Sequence, residues 1–180
     1  MLALGVLYLS IGVAVAPLTP GDTVARRPRP KVVEVSDWYY RRLTIHRYVS
    51  YGVIPVFGLQ WIAGNQIFQS EQSATRISPP TWAVTGHRAG ATALAAMFTV
   101  NTVTGLWNLW DSRSVPQGRL LRTAHALTML TADAGFTWAG ARLSEQAETS
   151  LDKRKLHRTI ALESTGLTLA GALMMKIWNR

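Results

Sequence analysis

Five stretches of this chain carry almost no charge, and short polar connections separate them. Residues 1–21, 48–70 and 89–110 hold no charged side chain. Residues 123–141 hold only Asp133, and 159–175 only Glu163. Each stretch is close to the ~20 residues that a helix needs to cross a bilayer core. A helix lying on a soluble core would show charge on every turn, and these do not. The pattern predicts an all-α fold with helices over 2–18, 37–68, 81–111, 117–143 and 154–178. The expected architecture is an integral membrane four-helix bundle, made by helices two to five, plus one peripheral N-terminal transmembrane helix.

Turn chemistry sets the expected ends. Pro17 and Pro20 stop the first helix. Ala14-Val15-Ala16 resembles a signal-peptide cleavage box, but no basic run precedes it and Pro17 follows directly, so the segment is read as retained. Residues 1–20 are the N-terminal membrane helix, and 21–36 are a linker containing the basic, Pro-rich run RRPRPK. Residues 37–180 form the four-helix domain. Pro55 is expected to kink the second helix. Thr81, after Ser78-Pro79-Pro80, is a candidate N-cap for the third. Ser114-Val115-Pro116 precedes the fourth.

Composition agrees with a membrane class. The chain has 19 Lys and Arg against 10 Asp and Glu, a net charge of +9, yet only 16% of it is charged. The charges sit at the ends of the uncharged spans, so no nucleic-acid surface is expected. Disorder is excluded by that low charged fraction and by seven Trp. All seven Trp lie toward helix ends, where aromatic belts form. Cysteine is absent, which removes disulfides, Cys zinc sites, iron–sulfur clusters and thiol catalysis. Twelve Lys and Arg fall on the side of the first and third connections and the C-terminus, against seven opposite. This asymmetry predicts a bacterial-type inner-membrane protein with its N-terminus outside and C-terminus cytoplasmic.

The four histidines carry the chemistry. His46, His87, His125 and His157 each lie near the N-terminal end of a different helix, the second to the fifth. Successive helices run antiparallel. His46 and His125 therefore share one membrane face, and His87 and His157 the other. In a four-helix bundle, each pair can stand diagonally across the core. Two opposed imidazoles clamp a porphyrin from both faces and leave iron no open position. A single His near a helix end is ordinarily an interfacial residue, whereas four in matched register are hard to get by accident. Arg47, Arg88 and Arg158 adjoin three of the ligands, and Arg122 precedes His125 by three residues. They are the expected partners of porphyrin propionates. One turn on from each His lie Ser50, Ala91, Met129 and Ala161, three of them small. Gly86-x-x-x-Gly90, Gly135-x-x-x-Ala139 and Gly166-x-x-x-Ala170 permit close helix approach. About 14 residues separate the two ligand levels, roughly 20 Å of helix.

Two acids are expected at depth. Asp133 and Glu163 are candidates for a proton or quinone role. Structural hydrogen bonding is the alternative, with a Thr of a neighbouring helix or Asn101 as partner of Asp133.

This pattern resembles the cytochrome b561 class of dihaem membrane proteins, in ligand position and topology over residues 38–178. The resemblance implies two b-type haems, each held by one His pair, His46/His125 and His87/His157. Transmembrane electron transfer follows, with a quinol, an ascorbate-like reductant, a flavoprotein or a soluble cytochrome as redox partner. The chain works alone, as a homodimer or as one of several membrane subunits, among membrane lipids and without nucleic acid. It departs from the common pattern in its five helices and shows no ascorbate-binding signature. Two other classes stay open. One is an antenna or accessory subunit with a (bacterio)chlorophyll on each His. The other is a cofactor-free membrane anchor.

Overall fold

The computed structural model describes residues 35–72 and 77–178. They belong to one unit of the chain, Val33–Arg180; a second unit, Met1–Val32, carries the expected first helix and lies outside the described residues. The RRPRPK run, Arg76 and Arg180 lie outside them as well.

Every element among the described residues is helical. Helix α1 spans Asp37–Gln72, four residues longer than expected, and continues through Pro55 as one helix. Asp37 in its first turn suits the positive end of the helix dipole. Helix α2 spans Thr81–Asp111, as predicted. Its N-cap position belongs to Pro80, with no side-chain cap, so Thr81 is the first helical residue rather than the cap. The Pro80 carbonyl takes the amides of Ala83 and Val84.

Helix α3 spans Arg119–Trp138 and starts two residues late. Gly118 turns the chain into it at φ 66°, a conformation that favours glycine. The expected uninterrupted helix to residue 143 is not formed. A π-helical turn, Ala139–Leu143, follows α3, then the short helix α4, Ser144–Thr149. Ser150 is extended, and α5 spans Leu151–Trp178.

The four long helices pack as two antiparallel hairpins, α1 with α2 and α3 with α5, joined through a lighter α2–α3 contact. Small residues set the close approaches. Gly90 of α2 meets Gln60 of α1, and Gly135 of α3 meets Ser164 of α5. Among the described residues, nothing stands within 4 Å of a Cβ built on Gly166, the first member of the third small-residue pair.

The interior is unusual in chemistry. Its apolar cluster is small, built on Val53, Leu94 and Phe98 with Phe57 and Phe136 against them. The buried set also includes Asn101, Thr104, Asn108, Ser112, Ser164 and Thr168. Many large apolar side chains are exposed, among them Ile62, Leu127 and Leu173. Helices α2 and α5 are long and apolar enough to cross a membrane.

Candidate functional site: two histidine pairs

Each hairpin contributes one histidine to each of two levels. His46 of α1 faces His125 of α3, with ring centroids 6.3 Å apart. His87 of α2 faces His157 of α5, with centroids 6.2 Å apart. Neither α1 with α3 nor α2 with α5 forms a packed helix pair. Each histidine pair thus spans the centre of the four-helix arrangement, between diagonal helices.

This spacing can be compared with metal ligation. An imidazole nitrogen binds a metal at about 2.0 Å, and the ring centroid lies roughly 1.1 Å behind it, so two trans rings have centroids about 6.2 Å apart. Both pairs match that value. Two rings packed for their own sake sit anywhere from about 4.5 to 7 Å. Agreement at both levels is therefore a sharper observation than either contact alone. Among the described residues, no group of three or more His, Cys, Asp or Glu gathers. The site chemistry available is two nitrogens at each of two levels.

The outer nitrogens are held by main chain. Nδ1 of His46 is 3.1 Å from the Asn101 carbonyl and 3.2 Å from the Thr104 hydroxyl. Nδ1 of His125 is 3.0 Å from the Gly171 carbonyl, and Nδ1 of His157 is 2.9 Å from the Ala139 carbonyl. A carbonyl only accepts, so each of these rings carries its hydrogen on Nδ1 and keeps the lone pair on Nε2. This is the tautomer of a metal-binding imidazole with an oriented outer contact. The fourth ring, His87, has the Gln60 main chain as its hydrogen-bond partner, in less regular geometry at its buried Nδ1.

Glycines make the space that the rings occupy. A Cβ on Gly105 would stand 3.2 Å from His46, and one on Gly64 would stand 3.2 Å from His87. Gly171 is pressed by Met129 and lies 3.6 Å from Nδ1 of His125 by the same measure. The fourth ring uses the π turn, whose first residue, Ala139, supplies its acceptor. None of Gly64, Gly105, Gly171 or Ala139 was expected to serve a ring. An isolated glycine inside an apolar helix was the available signal.

The second pair opens on a cavity of about 1300 Å³ that reaches all four long helices. Drug-sized ligands fill pockets of about 300–1,000 Å³, so this cavity has room for a large ligand. Ala91 and Ala161 line it, as their small size predicts. Ser50 and Met129, at the same register in the first pair, are half-buried; the Ser50 hydroxyl donates to the His46 carbonyl at 2.7 Å.

The expected arginines divide into two groups. Arg88 and Arg158 line the cavity. Arg88 is exposed and pairs with Glu148 at 3.1 Å. Arg158 lies over Phe68 at 4.3 Å and reaches Asn65 at 3.3 Å. Arg47 is exposed at the first level. Arg122 is instead committed to the α2–α3 loop, donating to the carbonyls of Ser112, Val115 and Gln117. Two further arginines were not singled out from sequence. Arg42 bonds Asn108 and pairs with Asp111, tying the start of α1 to the end of α2. Arg154 pairs with Glu71 at 2.5 Å at the cavity rim.

The acids also separate. Asp133 faces the cavity and accepts from Thr102 of α2, the expected neighbouring-helix threonine. Asn101 bonds Ser50 and is not its partner. Glu163 is exposed, which corrects the expectation of a second interior acid. Six residues past His157 is about 240° of helical rotation, and the inward positions go to Ser164 and Thr168.

No known family model, curated protein or solved structure matches this chain.

Proposed function

We propose that the chain is an integral membrane four-helix bundle that holds two b-type haems, one at each histidine pair, and carries electrons between the two sides of a membrane. The observation that carries this reading is the matched ring spacing, 6.3 Å and 6.2 Å, at two levels of one bundle. His46 and His125 would hold one haem, and His87 and His157 the other; the bound group would supply one-electron redox chemistry. Carbonyls of Asn101, Gly171 and Ala139 orient three of the four rings. Arg88 and Arg158 present guanidinium groups at the second cavity, where a carboxylate would be received.

The surface chemistry supports the membrane part. Many large apolar side chains are exposed, and hydroxyl and amide groups share the interior with small and aliphatic side chains. That distribution suits lipid outside and hydrogen-bonded helix contacts inside. Ala139, which contacts His157, lies fourteen residues after His125, and Gly171, which contacts His125, lies fourteen after His157. The two levels are therefore roughly 21 Å apart along α3 and α5. The arrangement resembles the cytochrome b561 class in ligand position and in its two-level plan. A quinol or a protein redox partner is the expected donor or acceptor. An antenna role is less well supported, because a magnesium pigment uses one axial ligand and has no use for an opposed second imidazole.

The test is haem content in single variants. Purified wild-type protein should yield two b haems per chain, and His46→Ala or His125→Ala should yield one. Loss of both haems, or of neither, contradicts the pairing.

A further inference from the structure

We propose that the outward face of α5 is an interface between two copies of this chain, closed by the Glu163 carboxyl of each copy and by the close approach that Gly166 and Ala170 allow. The inference rests on the membrane part of the reading above, and not on haem. Thr159, Glu163, Gly166, Ala170 and Leu173 fall within about 80° of helical arc, and all five are exposed. The buried positions of α5, Ser164, Thr168 and Gly171, lie on the opposite side. Glu163 is six residues past His157 and eight before Gly171, whose carbonyl meets His125. It therefore lies roughly 9 Å in from one histidine level and roughly 12 Å from the other, at the depth of lipid tails.

A carboxyl at that depth is costly when it faces lipid, and acids within membrane spans turn inward or pair with one another. Asp133, the other acid within an uncharged span, has its partner in Thr102. Glu163 has no hydrogen bond or ion pair among the described residues. A second copy supplies one. A carboxyl that carries its proton both donates and accepts, so two copies related by a two-fold axis along the membrane normal satisfy each other with no further residue. The same patch then serves both copies, as a two-fold contact requires. The approach it needs is available. Nothing among the described residues stands within 4 Å of a Cβ built on Gly166, and small residues four apart let two membrane helices pack closely. Leu162, Leu167 and Leu169 flank the contact and are exposed.

The experiment is disulfide crosslinking of the full-length chain in its native membranes, which the absence of cysteine permits. Each result is read as a share of membrane-inserted chain. Ala170→Cys, as the single cysteine, should crosslink to a dimer under mild oxidation. Leu127→Cys, exposed on α3 near the same histidine level, should not. In the Ala170→Cys background, Glu163→Gln keeps a donor and an acceptor and should keep the dimer. Glu163→Leu and Gly166→Leu should each reduce the crosslinked share to that of Leu127→Cys. Crosslinking of Ala170→Cys no greater than that of Leu127→Cys overturns the inference. So does a share left unchanged by both leucine variants. Either result leaves the two-haem reading standing, since haem content is measured separately in the same membranes. Release of the chain by alkaline carbonate overturns the membrane reading and the interface together.

Discussion

An imidazole that gives its Nδ1 hydrogen to a carbonyl has one nitrogen left for a metal, and three of the four histidines are in that state. At this scale the glycines matter as much as the ligands. Gly105 is held against the His46 ring, where a Cβ would already stand 3.2 Å away. Gly105→Val should therefore displace that ring, cutting haem content from two per chain to one, with the His87/His157 haem retained; a pyridine haemochrome assay reads this directly. Retention of two haems would show that the close approach is incidental. The Arg42–Asp111 pair is a separate matter of stability, with side-chain exposures of 13% and 26%. Breaking a mostly buried pair costs about 3 kcal/mol, less whatever solvent screening the partial exposure allows. Arg42→Ala should lower the thermal midpoint in detergent and leave haem stoichiometry alone. The histidine pairing was legible from residue positions because register and antiparallel order suffice to predict it. The orientation of Glu163 was misread because depth was counted and angle was not.

Helix ends were read well where the chain marks them. Pro79-Pro80 and Asp111 bound α2, and its limits match the expected ones. The π turn left no such mark. Ala139–Leu143 inserts a slight widening into an otherwise apolar run, and hydrophobic periodicity does not register one extra residue. Yet this turn holds the acceptor for His157. Gly140 within it has open space around its Cβ position. Deleting Gly140 should restore α-helical register and move the Ala139 carbonyl off His157. The expected result is weaker haem retention at the second site alone, measured as faster transfer of one haem to apomyoglobin. Equal loss from both sites would mean that the deletion unfolds the bundle.

Among the described residues many large apolar side chains are exposed, and seven polar residues are buried beside nine apolar ones. The absence of cysteine makes sidedness easy to measure. With Gln117→Cys in the α2–α3 loop and Ser150→Cys before α5, an impermeant maleimide should label only Ser150→Cys in intact cells, and both after permeabilisation. Labelling of both in intact cells would contradict a membrane-spanning α3.

The most direct test of two redox-active haems on the two opposed histidine pairs is a dithionite-reduced minus oxidised absorption spectrum of the purified chain, with iron quantified in the same sample. A reduced b-type α band with two irons per chain is the predicted result. No redox change, or magnesium pigment in place of iron, would contradict the account.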